Sequence, residues 1–304
     1  MSPHVWSIVL AAGAGRRLAS VTGGVPKQFW TSNGSPTLLE DTLRRSAQVV
    51  PPERTVILVD RGHEPHVASR PALRRSGRVI YQPRDRGTAA GVLLGLSHVL
   101  AEDPRAIVLL TPSDHGVARP EFFTAGIRSA IRKVQSRRTD IVLFGVEPAE
   151  PEGDYGWIVP SSRRLKGLRH VARFVEKPEI SMARALFDAG SVWNTMVLVA
   201  RAAALLDRYR LHLTGLTKVF LNALDRPVED RALFLARQYE DLPAADFSRD
   251  LLESVHDMTV HVWPSTMGWS DLGTPERLAA WQQRFEPRPG GPIPARRPAL
   301  RAAS

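Results

Sequence analysis

The chain has 304 residues, 43% of them hydrophobic, no cysteine and a formal net charge of +10. This is enough apolar material for one large domain or two unequal ones; it excludes a disulfide framework and thiolate metal sites, and no apolar run approaches a membrane span. The positive charge is spread along the chain or gathered in the last residues (Arg288, Arg296, Arg297, Arg301) without interleaved aromatics, which argues against a nucleic-acid partner.

Ile8-Val9-Leu10 predicts a buried strand that empties into Ala11-Ala12-Gly13-Ala14-Gly15, then Arg16-Arg17 and a loop closing on Pro26-Lys27. A small-residue loop at a strand end lets backbone N–H groups approach an anion or a nucleobase, and the arginines and Lys27 add positive charge beside it. Two familiar phosphate loops do not fit. A dinucleotide fingerprint needs a third glycine where Leu18 stands, and a Walker A loop needs Gly-Lys-Ser/Thr, which is absent. A plain glycine turn with solvated arginines is the alternative. Against it, the 41 basic residues include only five lysines, and two of them, Lys27 and Lys177, fall in the most motif-like segments. Lysine is a compact point charge and not interchangeable with arginine at a tight phosphate site.

Further along, Ser35-Pro36 reads as the N-cap and first-turn proline of a helix carrying Leu39, Leu43 and Ala47. Residues 55–59, 79–81, 106–110 and 141–146 predict buried strands, and 88–100 and 122–134 predict helices between them. Continuous apolar strands alternating with helices predict a mainly parallel sheet covered on both faces, whose ligand site lies outside the carboxyl ends of the strands. The glycine loop, Gln82 and Asp114 all follow strand ends. The second half adds a turn into a strand at 153–159, a strand at 170–175 closed by Glu176-Lys177-Pro178, and a segment from Ser191 through Asn194 into a strand. Two helices are expected over 202–224, a late strand over 259–263, and a last helix capped by Thr274 and running to about Arg284. The Pro/Gly/Arg-rich stretch 287–304 is expected to be disordered.

Taken in order, these motifs resemble the sugar-1-phosphate nucleotidyltransferases, and most of all the mannose-1-phosphate guanylyltransferase branch. The resemblance covers residues 5–283 and rests on LAAGAGRRL with PKQF, QPRDRGTA, TPSDH, DYGWI, FVEKP, WNT and GWSDLG. It implies an α/β, Rossmann-like nucleotidyltransferase fold, with a mixed, mostly parallel central sheet and helices on both faces. It implies one domain over 1–286, with a nucleotide-binding half of about 1–150 and a sugar-phosphate half of about 151–286. The implied reaction moves a nucleotidyl group from an NTP, GTP first, to a hexose-1-phosphate, mannose-1-phosphate first.

By the same resemblance, Ala11, Ala12, Gly13, Gly15, Arg16, Gln82, Gly87 and Thr88 would bind the nucleotide. Arg17 and Lys27 would hold the triphosphate and stabilise charge in the reaction. Gly156, Glu176, Lys177 and Asn194 would bind the sugar phosphate, and Asp114 and Asp271 would hold Mg²⁺ or another divalent cation. From the residues alone, Asp114 reads first as an N-cap before the Pro120 helix and Asp271 first as a turn residue before Thr274, while Glu176-Lys177 reads also as an exposed strand end. Trp193 and Trp269 read as packing residues; His115 reads as either a ligand contact or a satisfied structural histidine. The sequence departs from the family at Arg16, where threonine is usual, at Ala12, where a glycine is frequent, and at Thr195-Met196 after Trp-Asn. A cytidylyltransferase of the isoprenoid or polyol-phosphate type, or a non-catalytic nucleotide or sugar-phosphate sensor, are the competing readings. The expected partners are an NTP and a sugar-1-phosphate, with a homodimer possible in principle and no membrane partner. No basic segment precedes the first apolar run, so no signal peptide is expected, and a cytoplasmic location is.

Overall fold

A computed structural model describes residues 4–31 and 36–285. In chain order the strands are β1 Val5–Ala11, β2 Thr55–Asp60, β3 Arg78–Gln82, β4 Ile107–Pro112, β5 Gly116–Val117, β6 Ile141–Val146, β7 Gly156–Leu165, β8 Leu168–Glu176, β9 Val192–Arg201, β10 Thr259–Trp263 and β11 Trp269–Ser270. Nine of them form one sheet in the order β3-β2-β1-β4-β9-β6-β10-β8-β7; β5 and β11 pair separately. Seven strands of the large sheet run one way, and β9 and β8 run the other. The fold is therefore the mixed α/β sheet that the sequence implies.

Alternation along the strands explains the layers, because successive side chains point to opposite faces. Ile8, Val56, Leu58, Val108 and Leu110 pack with Val92, Leu93 and Leu96 of the Gly87–Glu102 helix on one face. On the other face Val9, Ile57 and Val59 pack with Leu39 and Leu43 of the Leu38–Ala47 helix, and Leu109 packs with Ile127 and Val134 of the Pro120–Gln135 helix. Burial on both faces is why these strands read as unbroken apolar runs.

Three details differ from the sequence reading. The first long helix opens at Leu38 and is capped by Thr37, not by Ser35-Pro36. Thr37 accepts from the Glu40 N–H while the Glu40 carboxylate accepts from the Thr37 N–H, a reciprocal pair that settles the boundary. Ser35 itself lies outside the described residues, as does the 287–304 stretch. Second, β9 is one continuous strand from Val192, so Trp193 and Asn194 belong to the sheet itself. Third, 225–258 contains a Val228–Asp241 helix and a wide turn at Phe247–Leu251 that packs beside the start of the Gly87–Glu102 helix. Among the described residues, no helix is long and apolar enough to cross a membrane.

Register places the site. β1 ends at Ala11, and β4 runs alongside it with Leu10 opposite Pro112; the Ser113 N–H then donates to the Leu10 carbonyl at 3.0 Å. Because β9 is antiparallel, its first residues lie at the carboxyl end of β6, with Asn194 opposite Gly145. Gly156 at the start of β7 pairs with Glu176 at the end of β8, and Trp157 pairs with Trp193. One edge of the sheet thus gathers the glycine loop, Asp114, Asn194, Gly156 and Glu176.

Candidate active site

The loop after β1 is held from below by Gln28, whose amide donates to the Ala11 and Gly13 carbonyls at 2.9 Å each. Gly13 has open space where a side chain would point. Gly15 has φ +63°, and a Cβ there would lie 2.9 Å from the Lys27 N, so the chain crosses closely only because the residue is glycine. Ala12 is half-buried on the same loop. The Arg16 side chain lies outside the described residues. Arg17 is exposed and its guanidinium lies 3.7 Å from Asp154 of the DYGWI motif.

Lys27 is buried, and its ammonium sits 3.1 Å from Asp114 Oδ2 and donates to the carbonyls of Leu272, at 3.0 Å, and Asp271. These distant segments come together because β5 and β11 form a two-stranded ribbon, with Gly116 opposite Ser270; Asp114 precedes one strand, Asp271 follows the other, and Lys27 bridges the Asp114 carboxylate and the Asp271 carbonyl. Burial would raise the Asp114 carboxyl, but the attractions and hydrogen bonds around it, those of the Lys27 ammonium first, together hold it below the ordinary carboxylate value. Asp271 accepts from the Tyr155 hydroxyl (2.8 Å) and the Gly273 N–H (3.1 Å) on Oδ1, and pairs with Arg277 (3.2 Å) on Oδ2. His115 is tied back by a 3.3 Å bond from the Trp269 indole to its Nδ1, and burial lowers it to about 4, so it is neutral and structurally satisfied.

A second group holds Gly156, Glu176, Asn194 and Lys177. Glu176 Oε2 lies 2.5 Å from where a Gly156 Cβ would sit, and Asn194 Cβ lies 3.4 Å from the same point. Burial, and after it the carboxylate of Asp246, raise Glu176 to about 7. Lys177 has φ +47°, is half-exposed, and lies 3.8 Å from Glu176. It does not join Lys27 directly; the link runs from the Lys177 N–H to the Tyr155 carbonyl and from the Tyr155 hydroxyl to Asp271. Trp193 and Trp269 flank Tyr155, with ring centroids 4.7 and 5.7 Å away, as packing residues would.

Gln82, Gly87 and Thr88, expected on the base side, are anchored within the protein. Gln82 is buried and donates to the Arg84 carbonyl at 2.9 Å. Gly87 has φ +80° and presses against the Ala245 backbone. The Thr88 hydroxyl accepts from the Phe247 N–H at 2.8 Å and donates to Asp246 at 3.2 Å. Asp246 therefore stands between the Thr88 segment and Glu176.

Gln28, Tyr155, Asp246 and Arg277 are the members of this assembly that sequence reasoning passed over. Gln28 and Tyr155 stand inside quoted motifs; Arg277 and Asp246 sit in segments with no pattern of their own. A separate cavity of about 970 Å³, lined by Trp30, Arg45, Trp281 and others, meets the cluster only at His115 and Leu272.

Comparison with known proteins agrees with this architecture. A family model described as nucleotidyl transferase matches residues 6–286. The mannose-1-phosphate guanylyltransferase of Escherichia coli K12 is 28% identical over 287 residues, covering 89% of this chain and 58% of that protein. The alginate biosynthesis protein AlgA of Pseudomonas aeruginosa is 28% identical over 281 residues, covering 88% and 56%. The chain thus spans little more than half the length of these curated relatives. A crystal structure titled mannose-1-phosphate geranyltransferase, from Thermus thermophilus, superposes with a TM-score of 0.81 at 29% identity over 94% of this chain and 80% of that one.

Proposed function

The chain belongs to the nucleotidyl transferase family, and on that premise we propose that it transfers a nucleotidyl group from GTP to mannose-1-phosphate, releasing pyrophosphate. The observation that carries this reading is the joining of Lys27, Asp114 and the Asp271 segment beneath an open glycine loop. A phosphate oxygen of the sugar phosphate attacks the α-phosphorus; the new P–O bond forms as the bond from the α-phosphorus to the bridging oxygen breaks, and pyrophosphate departs. Two polyanions must meet, so catalysis is mainly charge neutralisation and in-line positioning.

Arg17 and Lys27 are the cations for the triphosphate. The loop of Ala11, Ala12, Gly13 and Gly15, continuing into Arg16, offers its backbone to the nucleotide, with Gln82, Gly87 and Thr88 on the base side. Glu176, Asn194 and the Gly156 backbone address the sugar hydroxyls, and Lys177 addresses the sugar phosphate. Asp114 and Asp271 would hold Mg²⁺, whose charge would offset that on the α-phosphate and the departing pyrophosphate. The donor set suits a hard cation: the Lys27 ammonium already gathers a carboxylate oxygen and two carbonyl oxygens at this point. Nucleotide binding belongs to residues 1–150 and sugar-phosphate binding to 151–286, in a cytoplasmic enzyme.

The test is pyrophosphate release with Mg²⁺, crossing four nucleoside triphosphates with several hexose-1-phosphates. We expect GTP with mannose-1-phosphate to turn over fastest. Another productive pair would correct the substrates, and binding without turnover across the panel would sink the enzymatic reading in favour of a sensor.

A further inference from the structure

We propose that Arg277 and a divalent cation compete for the same oxygen of Asp271, so that Arg277 sets how tightly the cation site binds. The inference rests on the reading above, in which Asp271 is a metal ligand.

Arg277 lies near the start of the Pro275–Phe285 helix, and its side chain is only 18% exposed. Its guanidinium spans three carboxylates: Glu152 Oε2 at 2.7 Å, Asp271 Oδ2 at 3.2 Å and Asp154 Oδ2 at 3.5 Å. Its plane also lies 4.5 Å from the Tyr155 ring. On Asp271 the two oxygens are used differently. Oδ1 is fixed by Tyr155 and Gly273, bonds that orient the carboxylate without bringing charge, and Arg277 reaches it only at 3.5 Å. Oδ2 is the oxygen that Arg277 neutralises, and a cation bound there would sit about 2.1 Å away, displacing the like-charged guanidinium.

The arginine has somewhere to go. Its shortest bond is to Glu152, and Glu152 is itself pinned: its carboxylate accepts from the Asp154 N–H and its carbonyl accepts from the Trp157 indole. Losing Asp271 therefore leaves Arg277 with a fixed carboxylate, a second one nearby and an aromatic face, and no buried unpaired charge results. Lys27 has no such reserve: apart from Asp114, its described partners are two backbone carbonyls. The arrangement is a latch on one metal carboxylate, hinged on Glu152.

The experiment measures Mn²⁺ binding to the full chain, without nucleotide, from the electron paramagnetic resonance signal of free Mn²⁺. Arg277→Gln is expected to bind Mn²⁺ about tenfold more tightly than the parent, the size of effect one removed charge pair produces. Arg284→Gln removes the same charge from the far end of that helix and should leave the affinity unchanged. Asp271→Asn should weaken binding. A variant that merely misfolds would bind more weakly, so tightening cannot come from damage. Unchanged or weaker binding in Arg277→Gln, or equal tightening in Arg284→Gln, overturns the competition while leaving Asp271 a ligand. Parent-like binding in Asp271→Asn overturns both the competition and the metal reading beneath it.

Discussion

Two aspartates of the same chemical type are prepared in different ways. Asp114 has one strong partner, the buried Lys27 ammonium, while Asp271 is oriented by a phenol, a backbone N–H and an arginine. We expect Asp114→Asn to lower kcat by about 10³-fold, since a charge that acts in the transition state is lost. The fold should survive with a loss of roughly 1–3 kcal/mol, because Lys27 keeps its two carbonyl partners. Steady-state kinetics and thermal melts on one preparation check both; near-parental turnover would remove Asp114 from the proposed metal site. Glu176 carries a pH prediction. Its side chain is 9% exposed and its carboxyl is raised from 4.5 to about 7, with burial as the main cause. The folded state then holds this proton more tightly than the unfolded chain does. Below about pH 4.5 both states are protonated, and as pH rises from there to about 7 the unfolded chain ionises while the folded state still holds its proton, which favours unfolding. Its contribution is therefore a fall in stability over that window, of up to roughly 3 kcal/mol. Glu176→Gln should flatten this part of the stability profile, measured by urea unfolding between pH 5 and 8; parallel profiles would show that the carboxyl ionises normally.

At the scale of elements, what the sequence revealed was what burial imposes on it. β1, β2, β4 and β6 are read directly because both faces are covered, and Asp114 and the glycine loop follow because they end such runs. The β5–β11 ribbon was not legible: two-residue strands carry no period, yet this ribbon is what joins Asp271 to Asp114. Thr37 was legible in principle, since Thr-x-x-Glu is a capping-box signature, but Ser35-Pro36 offered a competing start signal two residues earlier. The 245–247 segment had no signal, because its role depends on backbone bonds from a distant turn: the Ala89 N–H donates to the Ala245 carbonyl and the Ala245 N–H to the Arg86 carbonyl. That contact explains Gly87. Its φ of +80° and its press against the Ala245 backbone leave no room for a methyl group. Gly87→Ala should cost about 1–3 kcal/mol or more and raise KM for the nucleotide more than for the sugar phosphate. Chemical denaturation and the two KM values measure this, and an unchanged nucleotide KM would detach the segment from that substrate.

For the molecule as a whole, the candidate site depends on elements that supply none of its proposed binding residues. The Pro275–Phe285 helix closes over the ribbon through Trp281, whose indole donates to the Gly268 carbonyl at 3.1 Å and whose ring lies where a Gly116 Cβ would be. Gly268 itself turns with φ +65° between Met267 and β11. Trp281 thus presses on β5 and on the residue that leads into β11, close in sequence to Asp114 and Asp271, while its contacts to Leu18, Leu272 and Leu278 form a small core separate from the main one. Trp281→Ala should cost about 2 kcal/mol, less than the roughly 3–5 of a fully buried tryptophan, because the side chain is half-exposed. The effect on kcat should be larger than stability alone explains, at least about tenfold, since loosening the ribbon misplaces Asp114 and Asp271 relative to each other. Leu73→Ala is the comparison. It opens a cavity of similar or greater cost in the cluster around Val67 and Ile57, none of whose residues lies in the ribbon. Well below either melting temperature, Leu73→Ala should keep parental kcat while Trp281→Ala does not. Equal kcat in the two variants would mean that the ribbon holds its geometry without the helix, and that the closing of the C-terminal helix serves stability alone.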